Sequence, residues 1–324
     1  MTSDARDLQT TSRYIIPAIS SEKERLAKQY AMKKAIYGWS SAVPTTIDLS
    51  KVENVLDIAA GTCIWTLDFA DMPQVKSNRD KINIYACDIN TDFFPDSRFM
   101  DDMGITTFGQ DVTAPFAEEY HGKFDLIHAS FLVICLTEEG WLSALANFAK
   151  ILKPGGIVLM DESDPIFFTE EQPPWPIDAG GHVIDKCMDG TSWVHKANCV
   201  YTGYSLKNGF VVGLTICLRG MLEQAGFVVE DSQRGLAAVG KVCRSRKGLD
   251  GGSLAAYEDF SVENMDLLLP HLAAGMFEKQ TLEVPPGNIV TEKMVMDEIL
   301  NEVQTGMRAD GAILVGAYFV ARKS

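Results

Sequence analysis

Val55-Leu56-Asp57-Ile58-Ala59-Ala60-Gly61-Thr62-Cys63-Ile64-Trp65 is the stretch on which the reading of this chain turns. An apolar run, Asn54–Ile58, has the length and composition of a buried strand. A turn of small residues follows, punctuated by Gly61, and Ile64–Ala70 then reads as a helix. Small residues let a ligand approach the backbone, and a helix N-terminus offers unpaired N–H groups to an acceptor. Strand, small-residue turn and helix together are the opening of a nucleotide-type site.

Outward from this stretch the chain alternates strands with helices. Ile82–Cys87 is a second strand ending at Asp88, Gly104–Gly109 a third and Phe124–Ala129 a fourth. A helix spans Thr137–Leu152, Lys153-Pro154-Gly155-Gly156 makes a turn, and Ile157–Met160 is a fifth strand. Such alternation predicts a parallel sheet wound on both faces. Two acidic residues sit where open α/β sheets bind ligands, at the carboxyl ends of strands. Asp88 is placed to accept two hydrogen bonds from ribose hydroxyls, and Asp111 to take an exocyclic adenine amine with Val112 against the ring.

Before the first strand, Ser21 and Glu24 read as a capping box opening a helix that Gly38 ends; residues 1–20 read as a mobile tail. Residues 163–207 break the βα rhythm with Pro165, Pro173, Pro174 and Pro176 and with aromatics, and read as a lid over a substrate. A helix at Val211–Ala225, a strand opening at Phe227, helices at Ala255–Phe277 and Thr291–Arg308, and an apolar closing strand, Ala312–Ala321, complete the chain. That last strand is a candidate antiparallel partner. The expected divisions are a helical lid (1–45), a cofactor-binding α/β core (46–162), an insertion covering the substrate site (163–210), and completion of the sheet with a helical insertion (211–324).

Composition narrows the function. The chain has 324 residues, with 29 Lys and Arg against 44 Asp and Glu, a net charge of −15. Nucleic acids and anionic membranes both call for clustered cations, so neither is expected as a partner. No run reaches the ~20 apolar residues that span a bilayer, and the N-terminus lacks a signal peptide's apolar core. Seven scattered cysteines without a CxxC pair read as free thiols, with no metal site, in a cytoplasmic protein.

The ordered set of Asp57, the small-residue turn, Asp88, Asp111 and the Lys153–Gly156 turn resembles the class I S-adenosylmethionine-dependent methyltransferases. Their first motif runs hydrophobic-hydrophobic-Asp/Glu-x-Gly-x-Gly-x-Gly. Here Ala59 and Cys63 stand at the first and third glycines and Gly61 is kept, so a slightly tighter turn is expected. Gly61–Asp71, Phe124–Ser130, Leu152–Glu162 and the N-terminal Glu22, Arg25, Leu26 and Gln29 resemble the fungal LaeA-like group, which includes small-molecule methyltransferases of secondary metabolism. The resemblance implies a doubly wound, mostly parallel seven-stranded Rossmann-like sheet with an N-terminal helical lid. It implies S-adenosyl-L-methionine as cofactor, held by Asp57, Ala59, Gly61, Thr62, Trp65, Asp88, Ile89, Asn90, Asp111, Val112 and Ser130. A nicotinamide dinucleotide fits less well: it wants Gly-x-G-x-x-Gly and an acidic residue ~20 positions on, and only Gly61 fits.

Methyl transfer from a sulfonium needs alignment above all, and a base only where the acceptor must shed a proton. His128 and His195 are the candidate catalytic residues, with His182 beside them. Trp175, Trp193 and Phe167 are candidates for an apolar substrate wall, and Tyr30, Tyr37 and Trp39 for lid contacts. Asp161, Glu162 and Asp164, read as following the fifth strand, are either substrate ligands or solvated. The leading expectation is transfer to an oxygen or nitrogen of a small, largely apolar secondary metabolite. The alternatives are a methyltransferase-fold regulator without catalysis and a cofactor-bound enzyme of rearrangement or cyclisation. The oligomeric state is left open.

Overall fold

The computed structural model describes residues 20–176 and 181–324. The N-terminal tail, the Ser21 side chain of the capping box and part of the proline-rich insertion lie outside the described residues. In chain order the elements are α1 (Ser20–Tyr37), β1 (Asn54–Ile58), α2 (Ile64–Asp71), α3 (Pro73–Lys76), β2 (Asn83–Asp88), α4 (Ser97–Asp102), β3 (Ile105–Gly109), β4 (Phe124–Ser130) and α5 (Glu138–Ile151). Then follow β5 (Leu152–Ser163), α6 (Ile184–Met188), α7 (Trp193–Lys207), α8 (Leu214–Gln224), β6 (Phe227–Val239), α9 (Glu258–Glu278), α10 (Lys293–Ala309) and β7 (Ala312–Lys323).

The strands form one seven-stranded sheet in the order β3-β2-β1-β4-β5-β7-β6. The first five pair in parallel; β7 is antiparallel to both β5 and β6. At its centre β1 is buried on both sides, as a strand covered by helices on two faces must be. Val55 enters the core beneath α1 and α2, while Leu56 and Ile58 enter the opposite core beneath α5 and α8. Local chemistry sets the helices. Thr137 caps α5 by accepting the Gly140 N–H at 3.2 Å, and Trp141, Ala144, Leu145, Phe148 and Ile151 form its buried stripe. No described helix is long and apolar enough to cross a membrane.

Two features differ from the sequence expectation, and a third adds to it. Lys153–Gly156 is no free turn but a bulge within β5: Phe124 pairs with Leu152 and Leu126 with Ile157, leaving the residues between without partners on β4. The same strand runs on to Ser163, so Asp161 and Glu162 are buried strand residues at 1% and 2% exposure rather than solvated loop residues. The insertion is substantially ordered: α7 packs on α9 and α10 around a third apolar core that includes Val200, Leu272 and Val303.

Candidate active site

A cavity of about 320 Å³ opens at the carboxyl ends of β1, β2, β3, β4 and β5, beneath α1. Helix α1 is pinned over it from both sides. Tyr30 Oη and Lys34 Nζ reach Asp68 of α2 at 2.6 and 2.7 Å, and Arg25 reaches Asn264 of α9 at 2.5 Å. Arg25 is itself gripped by both carboxylate oxygens of Glu22 at 2.6 Å.

One half of the cavity is built by the turn after β1. Gly61 has φ +50°, a backbone that glycine adopts without strain, and a Cβ there would meet only Leu26 Cδ1 at 3.9 Å. Its N–H donates to Asp88 Oδ2 at 2.8 Å, and Asn90 N–H donates to Asp88 Oδ1 at 2.8 Å. Each carboxylate oxygen keeps a further lone pair for a ligand hydroxyl. Burial pushes the Asp88 carboxyl up, and backbone donation from Asn90, Gly61 and Ile89 opposes the shift. Across from it, Asp111 uses Oδ1 to accept from Thr113 N and Oγ1, and Val112 presents an apolar wall.

Beneath lies a buried polar chain. His128 Nδ1 bonds Asp57 Oδ1 at 2.7 Å, and Thr66 Oγ1 donates to Asp57 Oδ2 at 2.6 Å. The His128 ring stacks flat on Trp65, centroids 4.1 Å apart, and its Nε2 faces Asp161 Oδ2 at 3.6 Å. Lys33 Nζ of α1 reaches Asp161 Oδ2 at 2.9 Å and Ser130 Oγ at 3.2 Å, while Ser130 Oγ donates to Asp161 Oδ1 at 3.0 Å. Burial would push the Asp161 carboxyl up, but Lys33 and His128 outweigh it and hold the group below the usual carboxylate range.

The other half is mostly apolar: Leu132, Val133 and Leu136 after β4, Val239 of β6, Met265 and Leu268 of α9, and Leu314 of β7. Among them stand Tyr37, Tyr201 and Glu162. Glu162 Oε1 accepts the Leu132 N–H at 2.9 Å, which fixes the chain as it leaves β4, and its Oε2 has no partner among the described residues. Burial raises the Glu162 carboxyl far above its ordinary range.

Residues 55–156 match a methyltransferase domain family. The N-methyltransferase sirN of Leptosphaeria maculans is 26% identical over 63% of this chain and 68% of its own length. The N-methyltransferase tcpN of Claviceps purpurea is 26% identical over 46% of this chain and 52% of its own. Thus the match to tcpN spans about half of that relative. Phosphoethanolamine N-methyltransferase 2 of Haemonchus contortus, solved with S-adenosyl-L-methionine, superposes with a TM-score of 0.44 at 11% identity, over 96% of this chain and 54% of that one. The chain carries a methyltransferase domain at residues 55–156.

The residues of this methyltransferase fit its cofactor. The space before Gly61 and the spare acceptor sites of Asp88 suit an adenosyl group's ribose, and Asp111 and Val112 border the same cavity. Ala59 and Cys63, in place of glycines, hold left-handed backbones at φ 53° and 58°, so the substitutions appear as local backbone strain. Of the sequence-expected cofactor residues, Asp57, Ala59, Gly61, Thr62, Trp65, Asp88, Ile89, Asp111, Val112 and Ser130 border the cavity. Asn90 does not; its side chain instead accepts from Asp92 N in the following turn. Asp57 borders it with both oxygens already engaged by His128 and Thr66, which makes it a positioning residue for the turn.

The expected catalytic and substrate residues fare differently. His128 borders the cavity, but its ring is held by Asp57 and Trp65. His195 does not border it; it bonds Ser192 at 2.6 Å and rests against Gly190. Trp193 lies on the backbone of Gly306, where a Cβ has no room, and Phe167 packs behind Tyr201. Trp175 packs with Phe168 and His182 away from the cavity. Trp39 likewise packs on Tyr37 and Tyr318 rather than facing a ligand. Of the described residues in 163–210, only Ser163 and Tyr201 reach the cavity. The apolar half of the cavity instead comes mainly from the Leu132–Leu136 run, β6 and α9. The apolar run directly after β4 was a visible signal for the first of these. No local pattern marked the other two.

Proposed function

We propose that this methyltransferase moves a methyl group from S-adenosylmethionine to a nitrogen or oxygen atom of a small, largely apolar metabolite. The supporting observation is the two-part cavity: hydroxyl acceptors and a glycine cradle in one half, an apolar chamber with few polar groups in the other. Sites of this kind orient a ligand by a handful of placed polar groups within an apolar wall. Nitrogen is favoured, since both sirN and tcpN are named N-methyltransferases. The likeness to fungal small-molecule enzymes favours a secondary metabolite.

When bound, the cofactor supplies a methyl group on a sulfonium, already an excellent leaving group. The chain's residues then contribute position. Asp88 fixes the sugar, Ser130 and the Lys33–Asp161 pair set the floor, and α1 closes the roof, so water is kept from the reacting centre. The test uses the purified protein with methyl-deuterated S-adenosylmethionine and fungal metabolite extracts, read by mass spectrometry. The expected result is a labelled product with stoichiometric S-adenosylhomocysteine. Cofactor binding without any S-adenosylhomocysteine, while a metabolite is isomerised, would replace transfer by rearrangement. Binding with no change to any metabolite would favour a regulator.

A further inference from the structure

Glu162 is the one cavity carboxyl with a buried oxygen that has no partner among the described residues. The other carboxyls at the cavity are engaged: Asp57 by His128 and Thr66, Asp88 by two backbone N–H groups, Asp161 by Lys33 and Ser130, and Asp111 by Thr113. Glu162 stands in the apolar half, where an acceptor would lie, and its backbone-bonded Oε1 holds the side chain in place.

We propose that Glu162 Oε2 receives the proton that the acceptor gives up as it is methylated, so that the net charge inside the closed cavity does not change as the reaction proceeds. The proposal rests on the methyltransferase reading and concerns acceptors whose attacking atom carries a hydrogen. An isolated charge is costly in so apolar a chamber. A sulfonium brings one positive charge, and a nearby positive charge favours the ionised carboxylate. Glu162 is therefore neutral without the sulfonium and ionised with it. As the acceptor atom bonds to the methyl carbon, the C–S bond breaks and its electron pair stays on sulfur. The N–H or O–H proton passes to Oε2. Cation plus carboxylate becomes thioether plus carboxylic acid, and no net charge appears at any point. The base strengthens as the positive charge disappears, which is when the proton has to leave.

The surrounding groups leave this role to Glu162. On α1, Lys33 is paired with Asp161, and Tyr37 is pushed up by burial and stays a neutral phenol. On α7, Tyr201 is likewise raised by burial. His128 of β4 is held by Asp57 at Nδ1, and its Nε2, without a hydrogen-bond partner among the described residues, is turned to Asp161 Oδ2 at 3.6 Å, in the polar chain with Lys33. Tyr318 of β7 bonds Asp231 at 3.1 Å, and Arg25 is held by Glu22 and Asn264.

The test needs no acceptor. Calorimetric titrations with S-adenosylmethionine and with S-adenosylhomocysteine, in buffers of differing ionisation enthalpy, count protons released on binding. The two ligands differ by the sulfonium, and work at about pH 6 keeps their α-amino groups below their titration range. The expected result is close to one proton released per S-adenosylmethionine and almost none per S-adenosylhomocysteine. In Glu162→Gln, which keeps a carbonyl for the Leu132 N–H, the two ligands should release alike, with S-adenosylhomocysteine affinity preserved. Equal release in the wild type, or a difference that survives in Glu162→Gln, overturns the proposal. Should the variant not fold, infrared spectra of the wild type decide: a protonated-carboxyl band present with S-adenosylhomocysteine and lost with S-adenosylmethionine supports it, and an unchanged band overturns it. Failure of either ligand to bind at all strikes the methyltransferase reading itself.

Discussion

Asp88 does two jobs with one carboxylate. It holds the turn after β1 by accepting the Gly61 N–H, and it offers its remaining lone pairs to a ligand. Asp88→Asn replaces one of two acceptor oxygens by a donor, so a charge-assisted hydrogen bond is lost. That loss is worth about 1.5–3 kcal/mol, or roughly 10–150-fold weaker cofactor binding. The sign of the pH dependence follows from burial. The carboxyl is raised above its ordinary value, binding needs the ionised form, and affinity is therefore full above the raised value and lost as the pH falls through it. The decline should begin at a less acidic pH than for an exposed aspartate and should vanish in Asp88→Asn. Titrations of S-adenosylhomocysteine from neutral to acid pH measure both effects; a flat profile in the wild type would remove Asp88 from the site. The place of this residue at the cavity was legible in the sequence because it follows from position, at the end of the strand beside β1. Glu162 was only half legible. Its type and place after the fifth strand were visible, but its burial depends on β5 running on to Ser163 and pairing with β7.

At the scale of elements, α1 shows where sequence reading stops. The helix itself was readable from its spacing and from Gly38. The job of Lys33 was not, since its partner Asp161 lies 128 residues further along the chain. The pair is buried on both sides, so removing one partner strands the other charge, at a cost of about 3–5 kcal/mol. Lys33→Met should therefore lower the melting temperature and loosen α1, seen as faster hydrogen exchange along Ser20–Tyr37. Losing the cation also lets burial raise the Asp161 carboxyl. In the wild type this group's contribution to stability is present above its unfolded value and lost as pH falls through the lower folded one; in Lys33→Met that acid-side protection should shrink. A second change, Asp161→Leu, should return most of the stability, because an apolar pair replaces a stranded charge, yet leave cofactor binding impaired. If Lys33→Met melts as the wild type does, the pair contributes nothing to holding the roof. The packing of the insertion was illegible for a related reason. Prolines and aromatics marked a departure from the βα rhythm, but the aromatics pack on helices α9 and α10, which arrive much later in the chain.

Over the whole molecule, the site is assembled from distant pieces. The cofactor half comes from four neighbouring strand ends, close in sequence and therefore readable. The apolar half draws on α1, the Leu132–Leu136 run, β6 and α9, joined only by the completed sheet. A ligand that bridges these pieces can bind the folded chain and not the unfolded one, so it must stabilise the fold by mass action. At a cofactor concentration of about 100 times its dissociation constant the gain is about 2.7 kcal/mol. Spread over an unfolding entropy of about 2.1 cal/mol/K per residue, this raises the melting temperature of a chain of 324 residues by about 4 °C. S-adenosylhomocysteine should produce this shift, S-adenosylmethionine a shift set by its own affinity, and NAD none. With Asp88→Asn at the same ligand concentration the shift should fall to about half or less, since tenfold weaker binding alone removes about 1.3 kcal/mol of the gain. Thermal melts of both proteins across a ligand series check this. A shift of equal size in wild type and variant would mean that the ligand stabilises the chain from somewhere other than the strand ends.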